Sequence, residues 1–158
     1  MSEFARIERL LGALPRLQIG TYPAGTKIPK QRKVSALLDY NGFDGFARNR
    51  IWEVCKWLMA GGVMPAPGEC DICGGEGTQY HAENYFDLTT YVPICKSCHS
   101  KVHNRLKNFR TWETRRAEFA KSEDHWINRL EPEQLPVAEW CGANNQTEPT
   151  FADFVAPE

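Results

Sequence analysis

The chain reads as an α+β fold: a small metal-stapled module of two short strands and a helix, with further α-helices flanking it. Three observations predict this. Two matched cysteine pairs, Cys70-x-x-Cys73 and Cys95-x-x-Cys98, bracket residues 74–94. β-forming residues occupy both halves of that interval, and apolar residues recur at helical spacing before and after it. Two thiolates separated by two residues can grip one ion from adjacent backbone turns. Two such pairs supply the four soft sulfurs that tetrahedral zinc prefers.

At 158 residues, 42% hydrophobic and 25% charged, the chain suits one domain of ordinary size with appendages. No apolar run is long enough to span a bilayer, and the opening MSEFARIERL has no apolar signal core. A cytoplasmic protein with no membrane partner is expected, and its thiols would stay reduced. The cysteines then read as metal ligands and not as disulfides. Cys95-Lys-Ser-Cys98-His99 also spells the haem attachment motif C-x-x-C-H, but that reading needs export and leaves the first pair unexplained.

The elements follow in order. Ser2 can cap a first helix whose Phe4, Ile7, Leu10, Leu11 and Leu14 share one face, closed by Pro15. Residues 15–33 read as an exposed connector ending in the basic run Lys30-Gln31-Arg32-Lys33. Asn41-Gly42 marks a turn. Asp44 can cap a second helix to residue 60, with Ile51, Val54, Cys55, Leu58 and Met59 as a core stripe ended by Gly61-Gly62. Residues 78–81 and 89–94 can pair as a hairpin. A helix over 99–108 sets His99 and His103 one turn apart on one face. Two more helices are predicted, over 111–121 and 122–130, with Trp112, Phe119, Trp126 and Leu130 in the core and His125 at the surface. The resulting division is a helical N-terminal region (1–64), the metal module (65–110), a helical C-terminal extension (111–141) and an acidic flexible tail (142–158).

The near-neutral net charge of −1 hides an asymmetry, +5 up to Arg129 and −6 beyond it. Lys96, Lys101, Arg105, Lys107, Arg110, Arg115 and Arg116 face only Glu113 within their segment. Such a cluster is the electrostatic footprint of a phosphate-backbone binder, although a solvated helix face carries the same charges. On this footing the residues expected to contact nucleic acid are Lys101, Arg105, Lys107, Arg110, Arg115 and Arg116.

Knuckle, strand with histidine, second strand, knuckle, helix with histidine: this order resembles the HNH endonucleases. The likeness is carried by CDICGG (residues 70–75), YHAENY (80–85) and ICKSCHSKVH (94–103), about a fifth of the chain. It implies a zinc-stapled ββα-metal, treble-clef-like module, with structural Zn²⁺ on Cys70, Cys73, Cys95 and Cys98. It also implies hydrolysis of phosphodiester bonds in DNA, with RNA as the alternative substrate. By position in the motif, His81 is the general base, while His99 and His103 hold one exchangeable catalytic divalent ion (Mg²⁺, Mn²⁺, Ni²⁺ or Zn²⁺). Many relatives carry a ligand directly before the base histidine, whereas this chain has Tyr80-His81-Ala82, so Glu83 and Asn84 are candidates to support the site. If Glu83-Asn84-Tyr85 aligns with the E-D-Y of relatives, His81 is instead a ligand. The alternative function is then a catalytically inert module that binds nucleic acid or a protein.

Overall fold

The computed structural model describes residues 1–27 and 37–149. The basic run 30–33 and the last acidic residues, 150–158, lie outside the described part. Within it are five α-helices, α1 (Glu3–Ala13), α2 (Gly45–Ala60), α3 (Lys96–Asn104), α4 (Phe109–Phe119) and α5 (Val137–Ala143). Between α2 and α3 lies a two-stranded sheet of β1 (Gln79–His81) and β2 (Val92–Ile94). No helix among the described residues is long and apolar enough to cross a membrane.

The first two helices form where their caps and stripes predict. The Ser2 side chain accepts the Ala5 amide at 3.3 Å, and the Asp44 side chain accepts the Ala47 amide at 2.8 Å. Ile7, Leu10 and Leu11 on α1, and Ile51, Cys55 and Leu58 on α2, are buried. These faces belong to two separate apolar clusters, with the hairpin between them. Val92 and Ile94 join the α1 stripe, Val102, Trp112 and Trp126, whereas Tyr80, Ala82 and Tyr91 join the α2 stripe. Strand side chains alternate between faces, so one hairpin can complete both clusters.

Register then places the polar residues. β1 and β2 are antiparallel with Gln79 opposite Ile94 and His81 opposite Val92. Directly opposed residues share a face, so Gln79 and His81 point to the same side of the sheet, away from Tyr80. The flanking regions pack on one another: α1 contacts the turn Trp126–Arg129 and α5, and its Arg6 Nε donates to Glu131 at 2.9 Å.

Several expectations change. The helix over 99–108 begins earlier, at Lys96, because the Cys95 sulfur caps it by accepting the Cys98 amide at 3.4 Å. Thr89 and Thr90 leave the strand for a 3-10 turn, Leu88–Thr90, held by the Asp87 side chain. The helix over 122–130 shrinks to the single turn Trp126–Arg129, since Trp126 and Ile127 are adjacent yet both fully buried. His125 is not at the surface: it is 9% exposed and its Nε2 lies 2.9 Å from Asp71 Oδ2. The acidic end is anchored as far as it is described. Gln146 Oε1 accepts from Asn84 at 2.8 Å, and Glu148 pairs with Arg50 at 2.8 Å.

Candidate metal centres

The first centre is built by backbone turns. The Cys70 amide donates to Gly75 O at 2.7 Å and the Gly74 amide to Cys70 O at 2.9 Å, curling the chain around the first knuckle. Gly74 adopts φ +74°, and a Cβ on Gly77 would stand 2.5 Å from Gly68 O, so both positions require glycine. The Asp71 amide bonds Pro93 O at 2.9 Å, drawing this knuckle to the end of β2 where the second begins.

The ligand sulfurs of Cys70, Cys73, Cys95 and Cys98 all lie within 4.8 Å of one another. Cys73 Sγ and Cys95 Sγ are 3.9 Å apart. A tetrahedron with metal–sulfur bonds of about 2.3 Å has edges of about 3.8 Å, so the sulfurs fit one zinc-sized ion. Burial alone would raise the Cys95 thiol, but hydrogen bonds from the Cys98 amide and the neighbouring thiols pull it down to about 7. Cys98, buried among the other sulfurs, is pushed up. Six thiols are free and none is in a disulfide; the two outside this group, Cys55 and Cys141, are buried core residues.

The second centre is assembled by β1 and α3. His81, His99 and His103 each offer a ring nitrogen, and these atoms also lie within 4.8 Å of one another. His99 Nε2 and His103 Nε2 are 3.1 Å apart, close to the edge of about 3.0 to 3.4 Å between two donors sharing one ion at about 2.1 Å. Gln79 Oε1 sits 2.8 Å from His99 Nδ1. An amide oxygen only accepts, so Nδ1 carries the proton and Nε2 keeps its lone pair for an ion. Burial, reinforced by the nearby His81, drives both His99 and His103 down to about 3, so both rings are neutral at neutral pH.

His81 is set differently. It is 1% exposed and stacks on Trp126, with ring centroids 5.7 Å apart. Its Nε2 lies 2.6 Å from Glu83 Oε1, while its buried Nδ1 has no hydrogen-bond partner among the described residues. Glu83 is the hub behind it. Its carboxylate accepts from Tyr40 Oη at 2.7 Å and from Asn41 Nδ2 at 2.6 Å. Burial would raise Glu83, but His81, Arg105 and Tyr40 hold it down at about 2, a fixed anion at 1% exposure. Asn84, by contrast, turns away: its Oδ1 accepts from the Phe86 amide and from Cys141 Sγ.

A cleft of about 720 Å³ opens on His99 and His103. Lys96, Ser100 and Asn104 of α3, with Lys107 just after it, form one wall, while Arg48, Trp52, Tyr80, Tyr85 and Tyr91 line the cleft from α2 and the hairpin. The basic cluster is therefore divided. Lys107 lines the cleft with the histidines, joined by Lys96, which lies outside the residues expected to contact nucleic acid. Lys101, Arg115 and Arg116 line a separate shallow hollow with Ile72, Trp112 and Ile127. Arg110 is exposed on α4. Arg105 cannot touch a phosphate backbone: it is 2% exposed, donates to Val102 O and Glu131 O, and lies over the Tyr40 ring.

Sequence reasoning missed Tyr40, Asn41 and Gln79, the residues that orient the histidines and Glu83. Asn41 was visible only as a turn residue, and it is one: its φ is +53°. Comparison with protein-family models, with curated proteins and with solved structures yields no match to this chain.

Proposed function

We propose that this protein is a metal-dependent endonuclease of the HNH type, hydrolysing phosphodiester bonds in DNA. One observation carries the reading: three histidine nitrogens from a strand and a helix lie within 4.8 Å of one another, apart from the four-cysteine cluster, and His99 and His103 among them line a cleft with lysines along one wall. The two centres divide the labour. Four thiolates close a structural site around zinc, and the hairpin, knuckles and following helix then form a treble-clef-like ββα-metal module. His99 and His103 would hold the second divalent ion, which supplies Lewis-acid stabilisation to the phosphate and the leaving oxygen.

The chain's own residues do the rest. Glu83, held as a carboxylate, accepts the Nε2 proton of His81 and so fixes the tautomer with the lone pair on Nδ1. An imidazole whose tautomer is fixed by a carboxylate is a competent base for a water proton. Gln79 does the equivalent for His99 through Nδ1. Lys96 and Lys107 attract the phosphates flanking the scissile bond. A second role for His81, as third ligand, is favoured by one of its ring nitrogens lying within 4.8 Å of those of His99 and His103.

Plasmid cleavage with Mg²⁺, Mn²⁺, Ni²⁺ or Zn²⁺ is the direct test. His81→Ala is expected to abolish cleavage while zinc content and DNA binding stay near wild type. His99→Ala should weaken binding of the exchangeable ion. If His81→Ala weakens ion binding equally, His81 is a ligand and another group is the base. No cleavage by the wild type with any of the four ions would leave an inert nucleic-acid- or protein-binding module.

A further inference from the structure

The cleft continues past the two histidines into a differently furnished end. His103 and Tyr40 have ring centroids 4.8 Å apart, and the Arg48 guanidinium lies 5.6 Å from the Tyr40 ring and 5.2 Å from that of Tyr85. Arg48 Nε donates to Tyr85 Oη at 3.0 Å. Beyond this bridge, Trp52 lines the wall as a half-buried ring. Asn49 lines it one α-helical turn earlier. Asn49 is only 7% exposed, and among the described residues its side-chain amide has no hydrogen-bond partner. An amide at a cavity wall with no protein partner is open to pair with a ligand that arrives there.

We propose that this end of the cleft is a nucleobase pocket, taking one unpaired base of a single-stranded nucleic acid whose backbone then crosses His99 and His103. The proposal rests on the phosphodiesterase reading above and adds a substrate class to it. The furnishings select the ligand. Trp52 offers a flat π face of the kind on which bases stack, whatever their identity. Asn49 has one donor and one acceptor group, the complement of a base edge. Lysines and metal-ligating histidines at the other end suit the phosphate to which a base is tethered. The whole cleft, about 720 Å³, falls within the range of about 300–1,000 Å³ usual for small-ligand sites. A base in intact duplex cannot reach such a pocket without leaving its stack, at a cost of a few kcal/mol. Single strands, gaps and mismatches avoid that cost.

The test is equilibrium binding to the full-length, zinc-loaded protein with no other divalent ion added. The probe is a mixed-sequence single-stranded oligodeoxynucleotide carrying a fluorescent purine analogue, beside its fully paired duplex and the matching RNA strand. The single strand is expected to bind more tightly than the duplex and to lose fluorescence on binding as the analogue stacks. Trp52→Ala should weaken single-strand binding roughly tenfold and abolish the quench, with duplex binding unchanged; Trp52→Phe should restore most of both. Asn49→Ala should flatten differences in affinity among homopolymers. Equal quench by the RNA strand would widen the substrate to both sugars. Duplex binding as tight as single-strand binding, or a Trp52→Ala protein indistinguishable from wild type, overturns the pocket. Cleavage assays separate the two ideas: a wild type that shows the quench yet cuts nothing sinks the nuclease reading alone. A wild type that cuts duplex, with Trp52→Ala equally active on every substrate, sinks the pocket alone.

Discussion

Glu83 illustrates how a buried charge is made tolerable and useful. A lone carboxylate at 1% exposure would protonate, but His81, Tyr40, Asn41 and nearby Arg105 keep it ionised. Its pKa of about 2 against an ordinary 4.5 means that its stabilisation is complete above about pH 4.5 and lost as pH falls toward 2. The histidines act in a higher window. His103 falls from an ordinary 6.5 to about 3, so below pH 6.5 the unfolded chain takes up protons that the folded protein refuses. Stability therefore declines from pH 6.5 downward, reaching its full loss near pH 3. In protein kept free of divalent ions at these histidines, His103→Gln should lower the proton uptake on unfolding near pH 5 by about one. Urea titrations of wild type and variant at several pH values between 7 and 4 measure this. Parallel stability curves would contradict it. The two helical histidines were legible from their i, i+4 spacing, and His81 from its place in the strand. Tyr40 was not legible, because no local pattern ties a residue before α2 to one after β1; only the tertiary fold does.

At the scale of elements, the cysteine cluster joins the start of the hairpin to the start of α3, and so sets where the histidines meet. β1 and β2 have three residues each, too few to hold register alone. Apparent binding energies of about 10–16 kcal/mol for structural zinc in small modules exceed what such a hairpin can supply. Cys73→Ser should therefore cost the protein its zinc and, with it, the affinity of His99 and His103 for the second ion. Cys141→Ser should leave zinc untouched. Elemental analysis and a melting curve of each variant decide this; full zinc occupancy in Cys73→Ser would be fatal to it. Long elements with caps, such as α1 and α2, were legible in the sequence. α5 was not, although Val137, Trp140 and Cys141 already stood at helical spacing, because one turn and a half of periodicity beside Gly142 is weak against its polar surroundings. The turn at Trp126 was misread as helix because burial there follows from the contact of Trp126 Nε1 with Asp71, 2.7 Å away, and not from a stripe.

Across the whole molecule, the charge asymmetry in the sequence proves to be divided by the fold. Lys96 and Lys107 lie along the cleft, Arg115 and Arg116 line another hollow, and Arg105 is consumed by the interior. Residue counting could not foresee this, since a helix following a knuckle turns successive basic residues to different sides. On the proposed reading, this division makes binding to nucleic acid sensitive to position as well as to total charge. Each lysine that contacts a phosphate releases counterions, so the slope of log affinity against log salt should shrink by about 0.7 to 0.9 per contact removed. Replacing Lys96 and Lys107 together by Glu should therefore weaken binding broadly and flatten the salt dependence by about 1.4 to 1.8. The same double reversal at Arg115 and Arg116 removes identical charge from the molecule as a whole, yet from outside the cleft. It should change affinity only through the long-range field, an effect screened beyond about 8 Å at physiological ionic strength. Fluorescence anisotropy over a salt series for the two double variants discriminates between a localised groove and diffuse attraction. Equal losses in both would show that net charge governs binding, and the cleft would lose its claim to be the phosphate path.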